Sequence, residues 1–168
     1  MKRTLILMGA VSVLAASVWA AGAATNFSGT WGMNKSKTEG LPQQMANIDS
    51  LTWVVTQNDK TITVESKTVA GGQARPSQPL TYNLDGSETT AELGGQMPGK
   101  ANLKAKWMDD GKILEISAVE HRSAQGNEFT ATRNEHWELA EGGKVLKVHR
   151  KSENPRGAQE TKYVFDKQ

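Results

Sequence analysis

The feature that most constrains this chain is a period of two in its apolar residues, broken at intervals by dipeptides that favour tight turns. In "ANLKAKW", Ala101, Leu103, Ala105 and Trp107 share one face, and Lys100, Asn102, Lys104 and Lys106 share the other. A strand places alternate side chains on opposite faces, so this reads as a strand half-buried against a core. "SLTWVVTQ" and "TITVESKT" follow the same rule. Asn58-Asp59, Asp85-Gly86, Asp110-Gly111 and Gly142-Gly143 each separate two such runs. Tight hairpin turns need positive φ, which Gly, Asn and Asp tolerate best.

Treating each dipeptide as a two-residue turn predicts the register. Val55 then faces Ile62 and Trp53 faces Val64. Tyr82 faces Thr89, Trp107 faces Leu114, and Trp137 faces Val148. A one-residue slip would put one strand's apolar set into water, so agreement of the apolar faces supports these pairings. The pattern predicts about ten strands: 29–34, 50–57, 60–69, 79–84, 87–93, 100–108, 112–120, 128–139, 144–152 and 159–166. Segments 70–79, 94–99, 121–127 and 153–158 read as loops. Only 40–48 has a helical cast, with Pro42 near its first turn. Ten antiparallel strands on one small chain form a sandwich or close into a barrel. Consecutive hairpins favour an up-and-down barrel, and closure removes the unpaired edges. It would bring the strand at Trp31 beside the one at Tyr163 to Phe165.

The N-terminus stands outside this pattern. Lys2 and Arg3 precede an uncharged apolar run, and Ala21-Gly22-Ala23 supplies small residues at its exit. This is the pattern of a secretory signal peptide (residues 1–24), cleaved near Ala23/Ala24. The expected mature product is one domain, 25–168, secreted or periplasmic. No later apolar run reaches the length of a membrane-spanning helix. The chain has no cysteine, so no disulfide braces the fold. It carries 20 basic and 18 acidic residues, and loss of Lys2 and Arg3 would bring the balance to neutral. Without basic blocks it is a poor match for nucleic acid or an anionic membrane surface.

Gly29-Thr30-Trp31, preceded by Phe27, resembles the opening strand of lipocalins and fatty-acid-binding proteins, the calycin group of antiparallel barrels. The closing "YVFDKQ" and Asn34-Lys35-Ser36 after the triplet resemble small secreted bacterial lipocalin-like proteins. The chain differs in lacking the Thr-Asp-x-x-Tyr motif of kernel lipocalins and their disulfide. Its 35–49 connection is also shorter than the two-helix lid of fatty-acid-binding proteins. The resemblance implies an all-β, lipocalin-like, up-and-down barrel of about 8–10 strands that encloses a small apolar or amphipathic molecule. Within it, Trp31 would plug one end, and Gly29 would permit close backbone approach where that end closes.

One strand breaks the alternation. In "NEFTATRNEHWELAEGG", Arg133 and Glu135 occupy the face of Phe129, Ala131, Trp137 and Leu139. The Gly142-Gly143 register sets Glu135 opposite Arg150 and Arg133 opposite Ser152. Three charges then point inward, and buried charges must be paired or hydrated. Either they form a closed structural network, or a bulge turns them outward, or one arginine is left over for an anion. A guanidinium fork fits a carboxylate. The candidate ligand-binding set is therefore Arg133, Glu135 and Arg150, with Tyr82, Trp107 and Trp137 as apolar lining.

On the outer face the same register sets His136 opposite His149 and Glu138 opposite Lys147. Two histidines without a third ligand make a poor metal site, so no metal is expected; His121 falls in a predicted loop. No catalytic or cofactor signature appears: there is no Gly-x-Ser-x-Gly elbow, His-Glu-x-x-His, phosphate loop or dinucleotide fingerprint. The expectation is a monomeric, non-enzymatic binding barrel without cofactor. The alternatives are a filled barrel serving a structural or protein-interaction role, and, further off, a calycin-type enzyme.

Overall fold

The computed structural model describes residues 24–95, 97–124 and 126–168; the predicted signal peptide, save its last residue Ala24, lies outside them. Eleven strands form one antiparallel sheet: β1 (Gly29–Met33), β2 (Ser50–Gln57), β3 (Thr61–Ala70), β4 (Gln73–Ala74), β5 (Leu80–Asn83), β6 (Thr89–Leu93), β7 (Gly99–Met108), β8 (Ile113–Ala124), β9 (Asn127–Ala140), β10 (Val145–Asn154) and β11 (Gly157–Lys167). A single helical turn, α1 (Gln43–Ala46), links β1 to β2. The order β4-β3-β2-β1-β11-β10-β9-β8-β7-β6 is up-and-down, with β5 also on β3. The predicted meeting of the first and last strands occurs, with Trp31 opposite Lys167 and Met33 opposite Phe165.

The register holds where the turn glycines are strongest. Trp107 pairs with Leu114, Trp137 with Val148, and Glu135 with Arg150. The turns themselves are longer than two residues. At 109–111, Asp109, Asp110 and Gly111 all take positive φ, and Lys112 N–H closes the turn on the Asp109 carbonyl (3.1 Å). The lengthening is symmetric, so the pairing beyond it is unchanged.

Two predicted registers fail. At Asn58-Asp59 the turn takes in Lys60, because Asn58 Oδ1 accepts from the Lys60 and Thr61 N–H groups. Val55 therefore faces Val64, and Trp53 faces Ser66. The shift is two residues, so every side chain keeps its face. The Tyr82–Thr89 hairpin does not form: Tyr82 pairs with Ile62 on β3, whereas Thr89 pairs with Leu103 on β7. The segments predicted as loops at 121–127 and 153–158 are mostly strand, crossed by short turns. His121 accordingly lies in β8. The eleventh strand arises because the predicted 79–84 strand is preceded by the separate short β4.

Between β5 and β6 the wall is closed by scattered contacts instead of a ladder. Asp85 bridges to Lys106, Thr89 Oγ1 donates to the Thr81 carbonyl (2.8 Å), and the Gln78 amide reaches across to the Glu92 carbonyl and Gly94 N–H.

The turns after β2, β7 and β9 gather at one end of the barrel. Residues 24–28 strap this end: Thr25 N–H donates to the Gly111 carbonyl (2.9 Å), and Gln57 Oε1 accepts from Phe27 N–H (2.9 Å). Trp31 is fully buried and donates through Nε1 to the Phe27 carbonyl (2.9 Å), as a plug should. Gly29 serves differently than predicted. Its φ is +147°, and a Cβ there would meet the Lys167 side chain at 3.1 Å, not a neighbouring backbone. Above the plug, Phe27 stacks on Trp107 (6.0 Å), Trp53 on Trp137 (5.0 Å), and Trp53 lies 4.3 Å from Phe165. The core therefore fills this half of the barrel.

Candidate functional site

Along the inward rows of β3, β9 and β10 the apolar residues give way to polar ones as the strand rises from the strapped end. On β9, Leu139 and Trp137 are followed by Glu135 and Arg133; on β10, Leu146 and Val148 by Arg150 and Ser152. At that level a cavity of about 230 Å³ opens, lined among others by Trp53, Trp137 and Met45 of α1. Arg133, Glu135 and Arg150 line it, as the cross-strand register predicts, and Tyr82 joins them from β5 although its predicted pairing with Thr89 does not form. Trp107 does not. It sits half-buried on Phe27 at the strapped end, because strand parity tells which way a side chain points but not how high it stands.

Glu135 is the hub. It is 2% exposed. Its Oε1 accepts from Arg150 Nε (2.7 Å), and its Oε2 accepts from Trp137 Nε1 (2.7 Å). Arg150 also donates to the Tyr163 hydroxyl (3.3 Å) and lies over the Tyr163 and Trp53 rings at 4.7 and 5.6 Å. Arg133 donates to the Tyr82 hydroxyl (2.8 Å). Its Nε is 3.2 Å from Glu135 Oε1, close enough for charge attraction, yet it has no hydrogen-bond partner among the described residues although it is buried. Two guanidiniums thus share one carboxylate, and the group carries one positive charge in excess.

The ionisation states follow from these contacts. Burial pushes the Glu135 carboxyl upward, but Arg150 and Arg133, with the hydrogen bonds from Trp137 and Arg150, outweigh it and hold the group below the ordinary carboxylate range. Burial disfavours the Arg133 cation, yet Glu135, Tyr82 and Glu120 more than offset this, so Arg133 stays charged. Burial raises the Tyr82 phenol and keeps it protonated as a donor or acceptor.

Sequence reasoning missed Trp53, which stacks beneath the cavity, and Tyr163, whose hydroxyl holds Arg150. It also missed Ser66 and Thr68 on the β3 wall. Their signal was present: the inward row Ile62, Val64, Ser66, Thr68 turns from apolar to hydroxylic at the level of the arginines. A second hollow of about 550 Å³ lies at the open end around Phe129, Ala131 and the Glu120–Arg122 pair (2.7 Å). On the outer face, His136 and His149 stand opposite each other, rings 6.5 Å apart. Each Nε2 turns to a glutamate, Glu115 (3.2 Å) or Glu160 (2.5 Å). No group of three metal-binding side chains occurs among the described residues.

No family model matches the sequence, and no curated protein matches it significantly. The fold is similar to the crystal structure of zebrafish ileal bile acid-binding protein complexed with cholic acid. The TM-score is 0.52 and the identity 15%, over 84% of this chain and 98% of that one. At that identity the likeness shows the fold, an all-β, calycin-type up-and-down barrel. The cholic acid belongs to the other protein.

Proposed function

We propose that this protein binds a small amphipathic acid in the hollow half of its barrel, with Arg133 and Arg150 as the anion-binding pair. The observation that carries the reading is the excess guanidinium: Arg133 Nε is buried without a hydrogen-bond partner among the described residues, beside a carboxylate already engaged by Arg150 and Trp137. A buried donor left unmade costs free energy that an incoming acceptor recovers. A ligand carboxylate supplies that acceptor and neutralises the surplus charge. The bile acid-binding barrel gives the reading support by analogy of fold alone. The half-polar cavity also favours it over a filled barrel with a purely structural role.

On this reading the protein is a carrier or sensor and not an enzyme. It acts as a monomer outside the cytoplasm, after removal of the leader that Lys2, Arg3 and the apolar run predict. Its test is calorimetry with a panel of carboxylates and their methyl esters. The acids are expected to bind at least tenfold more tightly than the esters, and Arg133→Met is expected to erase that preference while the protein remains folded. Equal binding of acid and ester would refute the anion site. N-terminal sequencing of the chain recovered from the extracytoplasmic fraction checks the compartment, with a mature end expected near Ala24.

A further inference from the structure

The wall opposite the arginines is built unlike the rest of the barrel. β5 pairs with β3 over 61–64, β4 pairs with it over 69–70, and Arg75 N–H donates to the Thr68 carbonyl, so residues 65–67 have no backbone partner on that side among the described residues. Between β4 and β5 the chain runs Arg75-Pro76-Ser77-Gln78-Pro79. Pro76 and Pro79 have no N–H to give, so this segment cannot continue the ladder. It is tied to β3 at two points instead, by Arg75 N–H on the Thr68 carbonyl (2.8 Å) and by Ser77 Oγ on Glu65 (2.9 Å), on either side of Ser66. Gln78 turns its amide away, to Glu92 and Gly94. The result is a side window in the barrel.

Ser66 and Thr68 stand at this window. They face inward by register, opposite Trp53 and Leu51, yet Ser66 is exposed. Among the described residues, neither hydroxyl makes a side-chain hydrogen bond. The cavity therefore has three zones in sequence. Arg133, Arg150 and Tyr82 form a cationic pole, Trp53, Trp137, Leu51 and Val64 an apolar middle with flat aromatic faces, and Ser66 with Thr68 a hydroxylic pole. Its volume of about 230 Å³ lies below the roughly 300–1,000 Å³ usual for drug-sized ligands. A long acyl chain or a fused-ring acid does not fit such a space. A rigid ring crosses it with little ordering cost and stacks on the aromatic faces.

We infer that the occupant is a compact, single-ring hydroxylated aromatic acid, its carboxylate on the arginines and its hydroxyl against Ser66 and Thr68 at the window. This rests on the proposed anion site and adds the ligand class.

The test is calorimetry of the intact protein with four probes: 4-hydroxycinnamate, cinnamate, methyl 4-hydroxycinnamate and palmitate. 4-Hydroxycinnamate is expected to bind about two- to tenfold more tightly than cinnamate, the range of one added hydrogen bond. It should exceed the methyl ester by more than that, and palmitate should bind weakest. A Ser66→Ala/Thr68→Val variant is expected to lower 4-hydroxycinnamate affinity to that of cinnamate and leave cinnamate itself unchanged. If the two cinnamates bind equally, yet both exceed the ester, the hydroxylic pole is wrong and the anion site stands. If palmitate binds most tightly, the size argument is wrong and the anion site again stands. If no acid binds, both readings fall.

Discussion

The strapped half and the open half of this barrel are made from the same strands, yet they solve opposite problems. In the strapped half, the inward rows of β2, β9 and β11 supply Val55, Trp137 and Phe165, which are buried and pack with Trp53 and Phe27. In the open half, β9 supplies Arg133 and Glu135, β10 supplies Arg150, β3 supplies Ser66 and Thr68, and a cavity remains. Alternation continues unbroken through both. What changes is the chemistry of the inward residue, and the change occurs at one level on several strands at once. A polar inward row costs stability wherever it is not matched by partners, so the filled half must hold the fold while the hollow half is left free to bind.

The comparison predicts an ordering of substitutions, and chemical denaturation reads it. Phe165→Ala removes a fully buried ring from the aromatic stack and is expected to cost about 3–5 kcal/mol. Equal tolerance of this change and of changes around the cavity would break the division into halves. Glu135→Gln comes next. It leaves two guanidiniums facing each other without their shared counter-charge. Removal of one partner from a fully buried pair costs about 3–5 kcal/mol. Here about a fifth of each arginine side chain remains exposed, so about 2–3 kcal/mol is expected. Arg133→Met should cost less, about 1 kcal/mol, because Glu135 keeps Arg150 and Trp137.

The Glu135 effect also has a pH signature. The unfolded carboxyl takes up its proton near pH 4.3, whereas the folded one resists protonation to lower pH. Its stabilising contribution is therefore complete above about pH 4.3 and is lost as the pH falls through the lowered value. Stability of the native protein minus that of Glu135→Gln should shrink across that acidic range and be flat between pH 5 and 8. The half-buried Glu65 and Glu115 and the exposed Asp85 and Glu160 are lowered in the same direction, but they are present in both proteins and cancel.

Much of the filled half was legible because glycine-rich turns fix the sum of paired residue numbers. Trp137–Val148 and Trp107–Leu114 came out correctly even though the turns were longer than supposed. The charged triad was legible for the same reason, since Arg133 and Glu135 stand in an apolar row and the register carries Glu135 onto Arg150. Asp85-Gly86 misled because a turn sequence says that the chain reverses, not which neighbours receive its two arms; here they go to β3 and β7. Trp107 misled because parity carries no height. Ser66 and Thr68 were passed over because hydroxyls at the end of an apolar alternation look like a strand running into solvent. Only the break in pairing between β4 and β5 leaves them at the edge of the cavity.

That edge supplies the smallest effect and the sharpest use of the comparison. Ser66 and Thr68 border open space, so the double change to Ala and Val removes no protein hydrogen bond formed by the described side chains and leaves no buried group orphaned. Valine matches threonine in shape and suits a strand, and substitutions of this kind at solvated positions generally stay within about 0.5 kcal/mol. The expected denaturation midpoint is therefore that of the native protein, with the same dependence on denaturant. A loss near 2 kcal/mol would mean that these hydroxyls are structural and that the cavity wall belongs to the core after all. An unchanged midpoint together with a changed ligand preference would separate binding from folding at two residues, which is what a barrel divided into a filled half and a hollow half requires.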